Sequence, residues 1–253
     1  MTHQRLSVHN VTFYGDSIAE LEEHWADLGV KRLSVLDSQL ADVSKLLQHN
    51  EYTVEAVYHP FADAAALDRV IDAAAATSAA TVYMLTGGRD SLTWEQAAQR
   101  FCERVAPCVE HARQAGVALA IENASPLYAD LHFAHTLRDA VTLAEMSGLD
   151  VCIDIFHCWA EGDIEEALQR ALPRTRLIQL SDYVLGDRSL PGRAVPGDGT
   201  IPIESLVRQA LAGGYAHGFD LELIGPRIDA EGRLESARRA CAVVGAMLDR
   251  LGA

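Results

Sequence analysis

The sequence predicts a single (β/α)8 barrel. Strand-like and helix-like segments alternate from one end to the other, eight such pairs can be counted, and no Pro/Gly/Ser-rich linker divides them. Continuous βα alternation means a parallel sheet. Eight units in 253 residues favour closure into a barrel over an open, doubly wound sheet, which stays as the alternative. One domain over residues 1–253 is the expectation.

The elements follow in order. LSVHNVTF (6–13) alternates as a strand and precedes an amphipathic helix at 17–29. KRLSVLD (31–37) leads to a helix at 41–50, and TVEAVYH (53–59) to an alanine-rich helix at 65–78. ATVYMLT (80–86) leads to a long helix at 93–116, and VALAIEN (117–123) to a helix at 135–148. DVCIDIFH (150–157) leads to 163–172, TRLIQLSDY (175–183) to 202–214, and GFDLELI (218–224) to 232–249. The strands are short and β-branched or Leu-rich, whereas the helices space apolar residues at i, i+3 and i+4. Gly116, Gly148 and Gly214 close their helices. No Gly-rich fingerprint follows the first strand, which argues against dinucleotide binding.

Composition narrows the function. Hydrophobic residues make up 49%, enough for a large core. A net charge of −15 repels phosphate backbones, so nucleic-acid partners are not expected. Five cysteines, an odd number without a CxxC pair, fit a reducing cytosol rather than a disulfide framework or zinc knuckle. The start of the chain lacks an apolar signal core. The uncharged run 73–88 is interrupted by Thr, Ser and Gly, so no membrane span is expected and the partner is a small-molecule substrate.

A barrel enzyme works at the C-terminal ends of its strands. Side-chain alternation turns Ala118, Ala120 and Glu122 inward on the fifth strand, and Asp154 inward on the sixth. The seventh sends in Leu177, Gln179 and Ser181, and the eighth Asp220 and Glu222. Glu122, Asp154, Gln179 and Glu222 thus converge on one mouth. Three carboxylates in a low-dielectric site repel one another until protons or a cation relieve them. Carboxylates with an amide oxygen suit a hard ion, Mn²⁺ or Mg²⁺ rather than Zn²⁺.

LAIEN (119–123), DIFH (154–157), QLSD (179–182), PGDGTI (196–201) and DLELI (220–224) occur in this order on these strands. With them the chain resembles the xylose isomerase-like TIM barrel superfamily, from about Leu6 to Leu248. The superfamily includes sugar isomerases and epimerases, inosose and 3-dehydroshikimate dehydratases, and AP endonucleases. The resemblance implies that Glu122, Asp154 and Glu222 ligate one divalent metal, and that Glu122 and Glu222 also exchange protons with substrate. It implies that His157 contacts substrate or moves protons. Most members carry histidine where Gln179 stands. Glutamine there is a feature of dehydratase-like members, and its amide oxygen can still coordinate. AP endonucleases need further histidines, and with the charge of −15 this sets nuclease activity aside. Members often pair, so a homodimer is an expectation.

Arg193, Ser181, His59 and Trp159 are candidate substrate contacts, with His9, Asn10, Phe156, Arg89, Arg188 and Arg227 as weaker ones. Cys152 and Cys158 flank the site without a neighbour that would activate a thiolate. The expected activity is a metal-dependent isomerisation or epimerisation, by proton abstraction beside the carbonyl of a sugar or other polyhydroxylated ketone. A lyase that dehydrates a cyclic hydroxy-ketone is the alternative. A non-catalytic binding barrel is a third reading, disfavoured because such a module has no need of three converging carboxylates.

Overall fold

The computed structural model describes residues 2–47 and 51–253. Eight parallel strands close into a barrel, as the alternation predicts. They are β1 (Leu6–His9), β2 (Arg32–Leu36), β3 (Thr53–Pro60), β4 (Thr81–Leu85), β5 (Ala118–Glu122), β6 (Asp150–Asp154), β7 (Thr175–Leu180) and, after a two-stranded ribbon, β10 (Gly218–Leu221). The ribbon pairs β8 (Asp182–Tyr183) antiparallel to β9 (Arg193–Ala194). β10 hydrogen-bonds to both β1 and β7 and so completes the ring.

The helices between them are α1 (Ile18–Leu28), α2 (Leu40–Leu47), α3 (Ala64–Ala76), α4 (Trp94–Ala115) and α5 (Leu137–Ser147). Then come α6 (Ile155–Cys158), α7 (Ile164–Ala171), α8 (Ile203–Ala212), α9 (Pro226–Glu231) and α10 (Arg233–Leu251). The last three residues of the helix expected at 41–50 lie outside the described residues. Three helix starts carry reciprocal side-chain caps: Ser17 with Glu20, Thr93 with Gln96, and Thr136 with Asp139. Gly116 ends α4 at a φ of 74°, a left-handed conformation that glycine adopts without a Cβ clash.

Packing divides along the strand alternation. Outward residues such as Val8, Leu33, Val57, Val82, Ile121, Ile153, Ile178 and Leu221 form one continuous core with the helices. Ala56, Tyr83, Ala120, Cys152 and Leu177 form a separate small plug inside the barrel, against which Tyr58 rests. With the interior filled below, a ligand can enter only above this plug.

Several strands end earlier than the sequence suggests, each for a local reason. The first stops at His9, whose Nδ1 accepts the Val11 N–H and caps a 3-10 turn at Asn10–Phe13. The run 150–157 is not a strand throughout. Asp154 accepts the Phe156 N–H at 2.9 Å and starts α6, so His157 stands on a helical turn. The seventh strand ends at Leu180, and Asp182–Tyr183 pair with the ribbon instead. The eighth ends at Leu221, one residue before Glu222.

Candidate active site

At the C-terminal ends of the strands lies a cavity of about 290 Å³. Its floor is built from strand ends. β5 delivers the buried carboxylate of Glu122, and β6 that of Asp154. Glu222 enters just past β10, and β9 brings Arg193 across from the ribbon. His157 reaches in from α6.

Arg193 is the hub of this floor. It is almost wholly buried, at 3% exposure. Its Nη2 lies 2.6 Å from Asp154 Oδ2 and 2.9 Å from Glu222 Oε1, while Nη1 donates to Ser181 Oγ at 3.0 Å. The Phe156 ring lies against the guanidinium, its centroid 4.7 Å away. The Nε of Arg193 is buried without a hydrogen-bond partner among the described residues. His157 Nε2 lies 3.5 Å from Asp154 Oδ2.

The segment that carries Arg193 is fixed by Asp182. Its carboxylate accepts the N–H groups of Tyr183, Gly197, Gly199 and Ile201 at 2.8–3.0 Å. A Cβ at Gly199 would stand 2.4 Å from the Tyr183 carbonyl oxygen, so the close approach requires glycine.

Gln179 behaves differently from the ligand expected of it. Its amide nitrogen donates to Glu222 Oε2 and, at 3.2 Å, to the Tyr83 hydroxyl, while its oxygen accepts the Cys152 S–H at 3.4 Å. The oxygen is therefore turned from the carboxylates, and Gln179 orients Glu222. Tyr83 Oη also lies 2.7 Å from His9 Nε2. Because His9 Nδ1 accepts from Val11, its Nε2 carries the proton and donates to Tyr83. The phenol thus accepts twice, and its own proton is directed elsewhere.

Burial governs the protonation of this floor. It raises Glu122 well above the ordinary carboxylate range, and the Glu222 and Asp154 charges push the same way. Burial also raises Glu222 to about 7, against the opposing pull of Arg193. It lowers His157 to about 4 and His9 to about 3, so both rings are neutral near pH 7.

Other expected contacts lie elsewhere. His59 turns away and bonds Asp37 at 2.6 Å; its neighbour Tyr58 lines the cavity in its place. Trp159 packs beside Tyr183, ring centroids 6.2 Å apart, and does not line the cavity. Ser181 does not line the cavity; its Oγ accepts from Arg193 Nη1. Tyr58, Tyr83 and Tyr128 also line the cavity, three residues absent from the sequence-based expectation. Alternation on β3 and β4 holds the signal for two: Tyr58 pairs with Tyr83, and Tyr83 with the inward Ala120.

Glu122, Asp154 and His157 can each present a ligand atom within 4.8 Å of the others. No donor reaches the Glu122 carboxylate among the described residues, and the Arg193 guanidinium pairs with only two of the three floor carboxylates, Asp154 and Glu222. This acceptor-rich cradle fits a divalent cation. Glu122, Asp154 and His157 would hold it, with Glu222 adjoining.

A family profile described as xylose isomerase-like TIM barrel matches residues 2–243. No curated protein matches the chain. Solved structures share its fold. The IOLI protein with a binding zinc atom superposes with a TM-score of 0.82 at 14% identity, covering 98% of this chain and 99% of that one. L-ribulose 3-epimerase gives 0.79 at 17% identity, covering 100% and 96%. A probable 3-DHS dehydratase from Bacillus anthracis, involved in petrobactin synthesis, gives 0.75 at 12% identity, covering 95% and 98%.

Proposed function

The chain belongs to the xylose isomerase-like TIM barrel family, and from that premise we propose that it is a metal-dependent isomerase or epimerase. It moves a proton at the carbon beside the carbonyl of a hydroxylated ketone. One observation carries this reading: Glu122 and Glu222 reach the same cavity from β5 and the end of β10, with Arg193 and His157 on the floor between them. A divalent ion held there would polarise the carbonyl and offset the charge that develops on its oxygen. With His157 in place of an amide oxygen the donor set suits Mn²⁺ and also Zn²⁺, so the reason to set zinc aside falls; Mg²⁺ suits the imidazole less well.

The protein groups divide the remaining work. With a cation on the floor to keep it ionised, Glu122 would remove the proton from one face, and Glu222, held by Gln179 and Arg193, would return one at the other. Neutral His157 hydrogen-bonds a substrate hydroxyl. The buried Nε–H of Arg193 is free to meet a substrate oxygen. The surrounding apolar walls exclude bulk water and strengthen each of these interactions.

Gln179 favours a second reading, dehydration of a cyclic hydroxy-ketone, in which Glu222, raised by burial to about 7, protonates the departing hydroxyl. Turnover in D₂O separates the two. Epimerisation returns deuterated isomers of unchanged composition, and dehydration gives a product lighter by one water. Product that carries no deuterium and has lost no water would contradict both.

A further inference from the structure

The floor of the cavity is polar, and its walls are mostly carbon, with the Tyr58 and Tyr128 rings among them. Val11, Leu36, Leu85, Leu131, Pro191 and Ile224 line it, from segments at or beyond the ends of β1, β2, β4, β5 and β10 and from the ribbon loop. Glu122, Glu222 and Arg193, the charged side chains that line it, belong to the floor together with neutral His157. Above them the cavity meets mostly carbon, interrupted by the phenols of Tyr58 and Tyr128. The apolar surface continues outward: Leu131 is 51% exposed, and Leu190, beside Pro191, 52%. A hydroxyl-rich chain lying against these walls would lose its hydrogen bonds to water and find few replacements beyond the phenols of Tyr58 and Tyr128, which is costly.

We propose that the substrate is an α-hydroxy ketone whose oxygens sit on the floor and whose remainder is an apolar alkyl or aryl group lying along these walls. This rests on the isomerase reading for the head and goes beyond it for the tail. The reading of the tail does not depend on which product forms. An apolar group in a preformed carbon-lined cavity binds by leaving water, at roughly tenfold for each 1.4 kcal/mol gained.

The test uses Mn²⁺-loaded protein and three ketones that share one head. These are hydroxyacetone, 2-hydroxyacetophenone with a phenyl tail, and L-erythrulose with a hydroxylated tail. Affinity is measured by calorimetry, and α-proton exchange in D₂O by NMR with a protein-free control. The expected result is that 2-hydroxyacetophenone binds at least tenfold tighter than hydroxyacetone, while L-erythrulose binds no tighter. Leu131→Ser, at a half-exposed position that does not threaten folding, should cut the phenyl preference threefold or more. Equal affinity for all three ketones, or tighter binding of L-erythrulose, overturns the inference. Exchange decides the head chemistry separately. Exchange without a phenyl preference leaves the proposed function standing and removes the apolar tail. A phenyl preference without exchange keeps the tail and removes the proposed function.

Discussion

The guanidinium of Arg193 lies 2.6 Å from the carboxylate of Asp154, and the same nitrogen lies 2.9 Å from Glu222. A charge supplied from the ribbon thereby holds together two of the three floor carboxylates. Arg193→Gln should destabilise the metal-free protein by ~3–5 kcal/mol, the usual range when one member of a buried ion pair is removed. Added Mn²⁺ should then stabilise the variant more than it stabilises wild type, because the cradle has lost its internal cation. Urea denaturation with and without Mn²⁺ checks both; equal metal effects in the two proteins would contradict this role for Arg193.

Asp182 anchors the loop that places Arg193 through four backbone N–H bonds. Asp182→Ala leaves these donors without their acceptor and should cost ~2–4 kcal/mol. Activity should fall with it, since the guanidinium is no longer fixed. Asp182→Asn keeps one acceptor oxygen and should recover part of the stability. A denaturation midpoint for the alanine variant equal to wild type would refute the anchoring role.

Asp220 gives a pH-dependent prediction. Burial raises it from 3.8 to about 7 in the folded protein, where one oxygen accepts from Ser7 at 2.6 Å. The folded state thus holds this proton more tightly than the unfolded chain. Its stabilising contribution is full below pH ~4 and is lost as pH rises through 7. Asp220→Asn mimics the protonated form. It should stabilise the protein by ~2–4 kcal/mol at pH 8 and by almost nothing at pH 4, since each tenfold change in proton affinity is worth ~1.4 kcal/mol. Parallel denaturation series at the two pH values test this, and a gain that does not grow with pH would contradict it.

Glu122→Gln separates stability from activity. The carboxylate lacks a donor and faces Glu222 and Asp154, so the neutral amide should raise metal-free stability at pH 8. The same change removes the proposed base and should slow turnover by at least a hundredfold. Full turnover in a correctly folded Glu122→Gln protein would remove Glu122 from the mechanism.

Much of this was legible in the sequence because barrels repeat two simple periods. Alternation along Ala118, Ala120 and Glu122 was enough to turn Glu122 inward, and the same logic placed Asp154 and Glu222. Where a side chain captured a backbone group, periodicity failed. The apolar run after Asp154 reads as strand, yet the Asp154 carboxylate caps Phe156 and turns it into helix. Gln179 was placed on the right face, but its role depends on which amide atom meets Glu222, and that is set by Tyr83 and Cys152 on other strands. Arg193 was named as a candidate contact from its place just before the PGDGTI loop, but no strand period showed that it crosses into the mouth on a ribbon held by Asp182 to pair with Asp154 and Glu222. His59 and Tyr58 show the cost of one residue: the inward position belongs to the tyrosine.

The central claim is that this floor is a metal-assisted site for moving a proton beside a carbonyl. Its most direct test is α-proton exchange of 2-hydroxyacetophenone in D₂O, followed by NMR, for protein stripped with EDTA and then reloaded with Mn²⁺. Exchange should drop to the protein-free rate on stripping and return on reloading. Undiminished exchange by protein verified to be metal-free would contradict it.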